Sequence, residues 1–558
     1  MSSLAAAMLL LALAVATDAL HVRVPRPACR RPAAASMCDQ APTPDGDWRE
    51  LRARLVAQEK AERSDDESEG SAGVGFVYES PLIEQGSVIL GGTKQAFGFA
   101  LRQQYFHKSV MLLLQHDDSF TKGIILNRPS AIELEGWRVW FGGDVAEGGM
   151  FRGEQGHGER EIVLLHSLDG EAAERLSLPV IKGVSYTTLE GAQALVQEGH
   201  ARKADFWMFV GYAGWAPKQL QAELERDSWF IASADSGTLL KELLRQGTEL
   251  PPPSEGTAVA GDGISTWSSL MESIGRGDEV RRTEASLSDR MLVEWVRVNL
   301  LPRQPRSAAP IEPPSPTVAV GTVLRSAAPA DRFVLSHQFL HKSVLLVVHE
   351  LPGGLYVTVV LNRPTINLVK FHADGDPRRC IMFGGDGQLR GGGLDIDQNG
   401  IMWLHYKEAL GGVPIGDSGL RRVPAADAAR LIKSGEASAS DFLLANGVVG
   451  FQKEEVERML DDGELCVVPD GRPMWPQVWS LSDAGDVDTE VYTRGGAAIS
   501  DGTAVWWLAS QLSASKADGS AEVSKISTPS MSPRTELADA ALVEWLKFFA
   551  GHIPVEEE

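Results

Sequence analysis

The run FHKSVMLLLQH at residues 106–116 returns, little changed, as LHKSVLLVVHE at 340–350. IILNRPS at 124–130 returns as VVLNRPT at 359–365, FGGD at 141–144 as FGGD at 383–386, LLH ending at His166 as WLH ending at His405, and LVEW at 292–295 as LVEW at 542–545. Five matches in one order, the first two offset by 234 and 235 residues, are not coincidence. The repeating unit is over 200 residues long, far beyond the roughly 20–50 residues of a solenoid repeat, so the chain reads as a tandem duplication of one domain. The layout expected is a first domain at 84–300, a Pro-rich linker at 301–318 (LPRQPRSAAPIEPPSPT and the residue after it), a divergent second domain at 319–550 and an acidic tail at 551–558. Two homologous domains of this kind are expected to pack on each other.

What precedes the first domain reads as targeting and tether. Leu4 to Ala16 is apolar but shorter than the about 20 residues of a membrane span, and Ala14-Val15-Ala16 offers a small-residue cleavage pattern. The following HVRVPRPACRRPAAASM carries Arg23, Arg26, Arg30 and Arg31 and, after Asp18, no acid before Asp39, as transit peptides do. A signal peptide joined to a transit peptide over 1–38 implies import into a plastid enclosed by extra membranes; secretion is the alternative. Residues 39–83 read as an acidic tether, SDDESEGSAG included, with a short helix over Trp48–Arg63. No membrane span is expected in the mature chain.

Charge and cysteine content exclude several classes of function. The whole chain is −22, and without residues 1–38 it keeps 49 basic and 74 acidic side chains. A phosphate backbone would be repelled, which argues against nucleic acid as a partner. Beyond the presequence only Cys380 and Cys466 remain, too few for a disulfide framework or a thiolate metal site. Both read as core residues.

Short segments rich in β-branched and aliphatic residues mark strands at Val110–Leu114, Gly123–Leu126, Arg138–Phe141, Glu161–Leu165 and Phe206–Val210. Apolar residues at three- and four-residue steps mark helices at Thr188–Glu198, Pro217–Asp227 and Ser288–Val298. Strands cluster early and helices late, which predicts an α+β fold. The stretch GYAGWAPKQLQAELERDSWF at 211–230 has a diverged counterpart, GVVGFQKEEVERMLDDGEL, at 447–465. Gly211 and Gly214 persist as Gly447 and Gly450, whereas Tyr212, Trp215, Pro217 and Trp229 become Val448, Phe451, Lys453 and Leu465. The glycines read as structural, and the aromatics as either core or one wall of a pocket.

Taken together, FHKSVMLLLQHDDSFTKGIILNRP, FGGDV, LLH and GYAGWAPKQLQAELERDSWF closely resemble the AlgH-like (YqgE) family, over essentially the whole of its domain. The resemblance implies a mixed, bifurcated β-sheet curled into a partial barrel with helices outside, and no established enzymatic activity. Bacterial members of the family are linked to regulation of exopolysaccharide genes, and plant members are plastid proteins. Two departures stand out: Asp144 and Asp386 replace the proline of the family's G-G-P, and Lys218 replaces the glycine before Gln219.

The polar residues present in both copies form the candidate site. Asn127 and Arg128 follow one strand, Gly142, Gly143 and Asp144 a second, and His166 a third; their equivalents are Asn362, Arg363, Gly384, Gly385, Asp386 and His405. Strands that run parallel, or that are bridged by the curl of the sheet, would bring these ends to one rim, an amide, a guanidinium, a carboxylate and an imidazole able to hold an anionic small molecule. An antiparallel order would separate them, and Asn-Arg-Pro and Gly-Gly-Asp would then be turns. Tyr212 and Trp215 would flank such a rim. His107 with Ser109 lacks a nucleophile elbow or oxyanion loop. His116, Asp117, Asp144 and His166 lack metal-ligand spacing, and no nucleotide or other cofactor motif is present. The reading that follows is a non-enzymatic binding or regulatory protein with a protein or small-molecule partner; an enzyme acting at the rim of Asn127, Arg128, Asp144 and His166 is the alternative.

Overall fold

The computed structural model describes residues 48–63, 75–93, 103–144, 161–248, 262–301, 317–328, 331–371, 378–389, 393–483, 502–514 and 532–549. The presequence, nearly all of the Pro-rich linker and the acidic tail lie outside the described residues. The chain divides into two compact units between Pro305 and Arg306, and each is taken by itself.

Unit one holds two six-stranded sheets. The first contains β1 (Val77–Glu79), β2 (Val88–Gly91), β3 (Val110–His116), β4 (Thr121–Ile125), β11 (Ala213–Trp215) and β12 (Trp229–Ala234), in the order β1-β12-β2-β3-β4-β11. The second contains β5 (Pro129–Leu134), β6 (Trp137–Phe141), β7 (Ile162–His166), β8 (Leu178–Ile181), β9 (Val184–Thr187) and β10 (Phe206–Val210), in the order β5-β6-β10-β7-β9-β8. Five consecutive residues of β3, Val110 to Leu114, are buried, which is why the strand reads as an unbroken apolar run rather than an alternation. Asp117 closes the β3–β4 hairpin by accepting the backbone N–H groups of Ser119 (2.8 Å) and Phe120 (3.0 Å).

The sheets are joined where the chain crosses from one to the other. Asn127-Arg128 carries β4 into β5, and Gly211-Tyr212 carries β10 back into β11. Between the crossings, Ile125 N donates to Gly142 O and Gly142 N to Val210 O, both at 2.8 Å. A Cβ on Gly142 would lie 2.3 Å from Gly211 O, and one on Gly143 would lie 2.2 Å from the Tyr212 carbonyl carbon. The Asn-Arg-Pro, Gly-Gly-Asp and Gly-Tyr-Ala-Gly motifs are therefore the contact points of one fork, as the bifurcated α+β architecture requires.

Helices Leu189–Gln197, Ser236–Thr248, Ile264–Ser273 and Leu287–Asn299 pack around these sheets, and Trp48–Arg63 forms a further helix. The core gathers Val88, Leu90, Val110, Leu112, Ile124, Phe209 and the fully buried Trp267. The helix expected over Pro217–Asp227 is shorter, Gln219–Leu224. Lys218 and Asp227 stand at φ +65° and +57°, left-handed positions that stop a helix at both ends. Lys218 thus adopts the backbone that the family's glycine takes more cheaply.

Unit two repeats the strand order. Its first sheet contains β13 (Val323–Ser326), β14 (Val344–Leu351), β15 (Leu355–Val360), β22 (Val449–Gln452) and β23 (Leu465–Val468), ordered β22-β15-β14-β13-β23. Its second contains β16 (Pro364–Lys370), β17 (Arg378–Phe383), β18 (Ile401–His405), β19 (Val413–Pro414), β20 (Arg421–Val423) and β21 (Leu443–Asn446), ordered β16-β17-β21-β18-β20-β19. One edge strand, the equivalent of β1, is absent among the described residues. Where Ser233 pairs with Tyr78 of β1, unit two has Pro469, which has no N–H for an added strand. Cys380 is buried, whereas Cys466, on edge strand β23, is only partly so.

Candidate functional site

The repeated polar residues turn inward. Asn127 is fully buried; its Oδ1 accepts the N–H of Val110 at 2.8 Å, and its Nδ2 donates to Lys108 O (3.0 Å) and Gly263 O (2.8 Å). The fully buried Arg128 donates from Nη1 to Asn127 O and Asp262 O, both at 2.8 Å, and from Nη2 to His107 O. Burial pushes its guanidinium down to about 9, opposed by Asp262. Beside it, His107 Nε2 donates to Asp289 Oδ1 at 2.7 Å, and Lys108 Nζ to Asp289 Oδ2 and Thr283 O, both at 2.9 Å. Burial holds His107 below its ordinary value against the pull of Asp289. Burial also works against the Asp289 carboxylate, but the bonds from His107 and Lys108 outweigh it and keep it ionised.

Unit two builds the same arrangement. Asn362 accepts from Val344 N (2.9 Å) and donates to Lys342 O (3.0 Å) and Gly502 O (2.9 Å). Arg363 donates to Asn362 O (3.0 Å), Phe339 O (3.1 Å) and His341 O. Asp539 binds His341 at 2.8 Å and Lys342 at 2.6 Å. Gly263 (φ +70°) and Gly502 (φ +74°) sit so close to the Asn-Arg loop that a Cβ would fall 1.9 and 1.8 Å from the asparagine carbonyl oxygen. In each unit this is a buried latch that ties two C-terminal helices to the strand crossing.

His166 is not part of it. The strand β6 runs parallel to β10, but β7 runs antiparallel, so Phe141 lies beside Val210 while His166 lies beside Phe206, at the other end of β10. At about 3.3 Å per residue the two ends are about 13 Å apart. The expected rim of Asn127, Arg128, Asp144 and His166 therefore does not form: Asn127 and Arg128 are enclosed, and strand direction sends His166 away. His166 is fully buried; its Nδ1 accepts Leu168 N–H (3.2 Å), so its Nε2 donates to Ser177 Oγ (2.7 Å). Burial lowers its pKa and keeps it neutral. His116 bonds Thr121, and Asp117 caps the turn that follows it. Among the described residues no group of three or more His, Cys, Asp or Glu could hold a metal ion.

What remains at the C-terminal ends of the parallel pair β6 and β10 is a polar and aromatic rim particular to unit one. Tyr105 Oη donates to Asp144 at 3.2 Å. Lys122 Nζ lies 4.5 Å from the centre of the Tyr212 ring and pairs with Glu161, whose side chain is 43% exposed. Phe120 meets Tyr212 edge-on at 6.3 Å. Burial, then Glu161 and Asp144, raise the Tyr212 phenol, which stays protonated. By strand register Lys122, Glu161 and Tyr212 correspond to Val357, Gly400 and Val448 of unit two.

Trp215 is core, not rim, at 4% exposure. Its Nε1 and that of Trp229 both donate to Glu223 Oε2, at 3.0 and 2.8 Å, while Gln219 Nε2 holds Glu223 Oε1 at 2.9 Å. The two indoles meet edge-on at 6.2 Å. GYAGWAPKQLQAELERDSWF is thus a closed corner with one edge, Tyr212, on the rim.

Asp289, Gly263 and Trp267 were not among the expected site residues, yet the sequence carries a signal for each. DG-x-x-x-W occurs at 262–267 and again at 501–506, and D-x-x-L-V-E-W at 289–295 and again at 539–545.

A family model described as AlgH-like matches residues 98–248. A UPF0301 protein of Streptomyces avermitilis is 32% identical over 145 residues, covering 25% of this chain and 72% of the relative. One from Caulobacter vibrioides is 30% identical over 153 residues, covering 25% and 72%. The solution structure of the AlgH protein from Pseudomonas aeruginosa aligns at 20% identity and a TM-score of 0.22, over 29% of this chain and 82% of that one. A crystal structure of a Corynebacterium diphtheriae protein aligns at 19% and 0.22, over 28% and 79%. A forked α+β domain latched through Asn-Arg-Pro is the class of protein that the residues define. The chain belongs to the AlgH-like, UPF0301 family, whose molecular function is not established.

Proposed function

We propose that the chain is a non-enzymatic binding or regulatory protein of the plastid, built from two tandem AlgH-like domains, with the rim of the first as its contact surface. One observation carries the reading: the latch groups common to both units, His107 and His341, Arg128 and Arg363, Asn127 and Asn362, are buried and bonded to their own chain, with Asp289 and Asp539 held by them. Such groups hold a fold together and meet no substrate. The duplication is supported by the shared strand order and the repeated latch. The plastid address rests on the presequence alone. No helix among the described residues is long and apolar enough to cross a membrane.

The test is capture from plastid extract by the mature chain, with mass spectrometry of both proteins and small molecules. A protein partner captured by the wild type and lost with Tyr212→Val supports the reading. A small molecule that is bound and chemically converted overturns it.

A further inference from the structure

We propose that the C-terminal helix Pro533–Phe549 is fastened to unit two by an acid-sensitive latch, His341–Asp539–Lys342, which loosens when the His341 imidazole becomes a cation. His341 is fully buried, and its Nε2 donates to Asp539 Oδ1 at 2.8 Å. Its Nδ1 is also buried and has no hydrogen-bond partner. A proton arriving there makes a buried N–H with nothing to accept it, on a ring that is now charged.

The surroundings do not compensate. The charged groups that face the imidazole are Asp539 on the helix, Lys342 beside it and Arg363 at the strand crossing, whose Nη2 donates to His341's own carbonyl. Asp539 is already paired with Lys342 at 2.6 Å. The third packed element, Thr503–Ala514, places Trp506 under the Lys342 ammonium at 5.9 Å and has no ionisable side chain. An imidazolium would be the third cation around one carboxylate. Burial accordingly holds His341 below its ordinary 6.5, with Lys342 and Arg363 adding to the effect and Asp539 opposing it.

The sign follows from the depressed value. The latch is fully closed above about pH 6.5, where His341 is neutral whether the helix is docked or not, and it weakens as pH falls below that. Leu537, Leu542, Trp545 and Leu546 remain buried contacts of the helix, so the event is local opening and not loss of the unit.

Hydrogen exchange of the full chain from pH 8 to pH 5, corrected for intrinsic rates and read on peptides covering Pro533–Phe549, tests it. The opening constant should rise by up to about tenfold per pH unit below 6.5, the limit for one proton, while circular dichroism holds steady. His341→Gln keeps an amide donor for Asp539 and does not titrate, so its opening should be flat with pH. No rise in the wild type, or the same rise in His341→Gln, overturns the proposal. If the variant is unfolded at pH 8, NMR titration of His341 in the wild type decides. Titration below 6.5 together with lost helix protection supports the latch, and titration with protection intact overturns it.

Discussion

The corner in unit one and its counterpart in unit two solve one packing problem with opposite chemistry. In unit one Trp215 and Trp229 share the Glu223 carboxylate. The aligned positions of unit two are Phe451, Leu465 and Met459, all buried, at 3%, 1% and 1% exposure. When both indole donors are gone the acceptor is gone too, as physical chemistry demands, because a buried carboxylate without donors costs more than a thioether that simply fills space. The latch has not been exchanged in this way: His, Lys, Asn, Arg, Gly and Asp stand in both units. A corner needs only volume, and apolar residues supply it. The latch holds backbone carbonyls where chain crosses chain, and only donors can do that.

The largest effect expected from breaking this comparison is at the latch. Asp289→Ala leaves Lys108 and His107 buried without their carboxylate and should cost about 3–5 kcal/mol. Asp539→Ala should cost clearly less, because the Asp539 side chain is 29% exposed against 10% for Asp289 and water can partly replace it. Denaturant unfolding of the full chain, with exchange read separately in each unit, measures both. Equal losses would show that burial does not set the strength of the latch.

Next is the corner. Glu223→Met alone strands two indole N–H groups and should destabilise unit one by about 2–6 kcal/mol, at about 1–3 per unsatisfied donor. Adding Trp215→Phe and Trp229→Leu reproduces the residue set of unit two and should recover part of that loss, although each tryptophan change taken singly is destabilising. Chemical denaturation of the single and triple variants decides. A triple variant as weak as the sum of its parts would mean that the apolar corner works only in the backbone of unit two.

Much of this was legible in the chain and part was not, for reasons of range. The runs VMLLLQH and FWMFV form strands because local pattern and burial agree. Asn127-Arg128 reads as either a turn or part of a ligand rim, and the chain changes sheets there with both side chains buried. What the pattern does not encode is direction: nothing local to His166 says that β7 opposes β10, so a rim that needs three strand ends together cannot be judged from spacing. Asp289 escapes for a related reason. It lies 182 residues from His107, and a single acid on an amphipathic helix looks like ordinary surface until its partner is known.

A smaller effect should separate the two histidines that end β7 and β18. His166 and His405 are both buried, and burial lowers the pKa of each, with Arg421 adding to the effect at His405. A depressed histidine gives its full stabilisation above about pH 6.5 and loses it as pH falls, at up to about 1.4 kcal/mol per pH unit per group. In His166 both ring nitrogens are used by the neutral form, and protonation must break the bond from Leu168 N–H. His166→Gln should therefore flatten the acid limb of unit one's stability by up to that slope and leave unit two unchanged. Thermal unfolding from pH 8 to 5 with unit-specific exchange is the measurement, and an unchanged acid limb in unit one counts against it.

The smallest effect on stability, and the largest on binding, is expected at the rim. Lys122→Val with Tyr212→Val converts two of its positions to their unit-two counterparts, Val357 and Val448. The Lys122–Glu161 pair is partly solvated, with Glu161 43% exposed, so its loss should cost at most about 1 kcal/mol. Valine also suits β4, and at Tyr212 it keeps part of the packing against the core while giving up the edge contact with Phe120 and the ammonium on the ring face. A chain so altered should melt close to the wild type. If the first unit's rim is the contact surface, it should nevertheless lose capture of its partner, whereas Val448→Tyr in unit two should neither add to nor subtract from capture. Retained capture by the double variant, at matched thermal stability, would remove the rim from consideration and leave the difference between the units as one of packing alone.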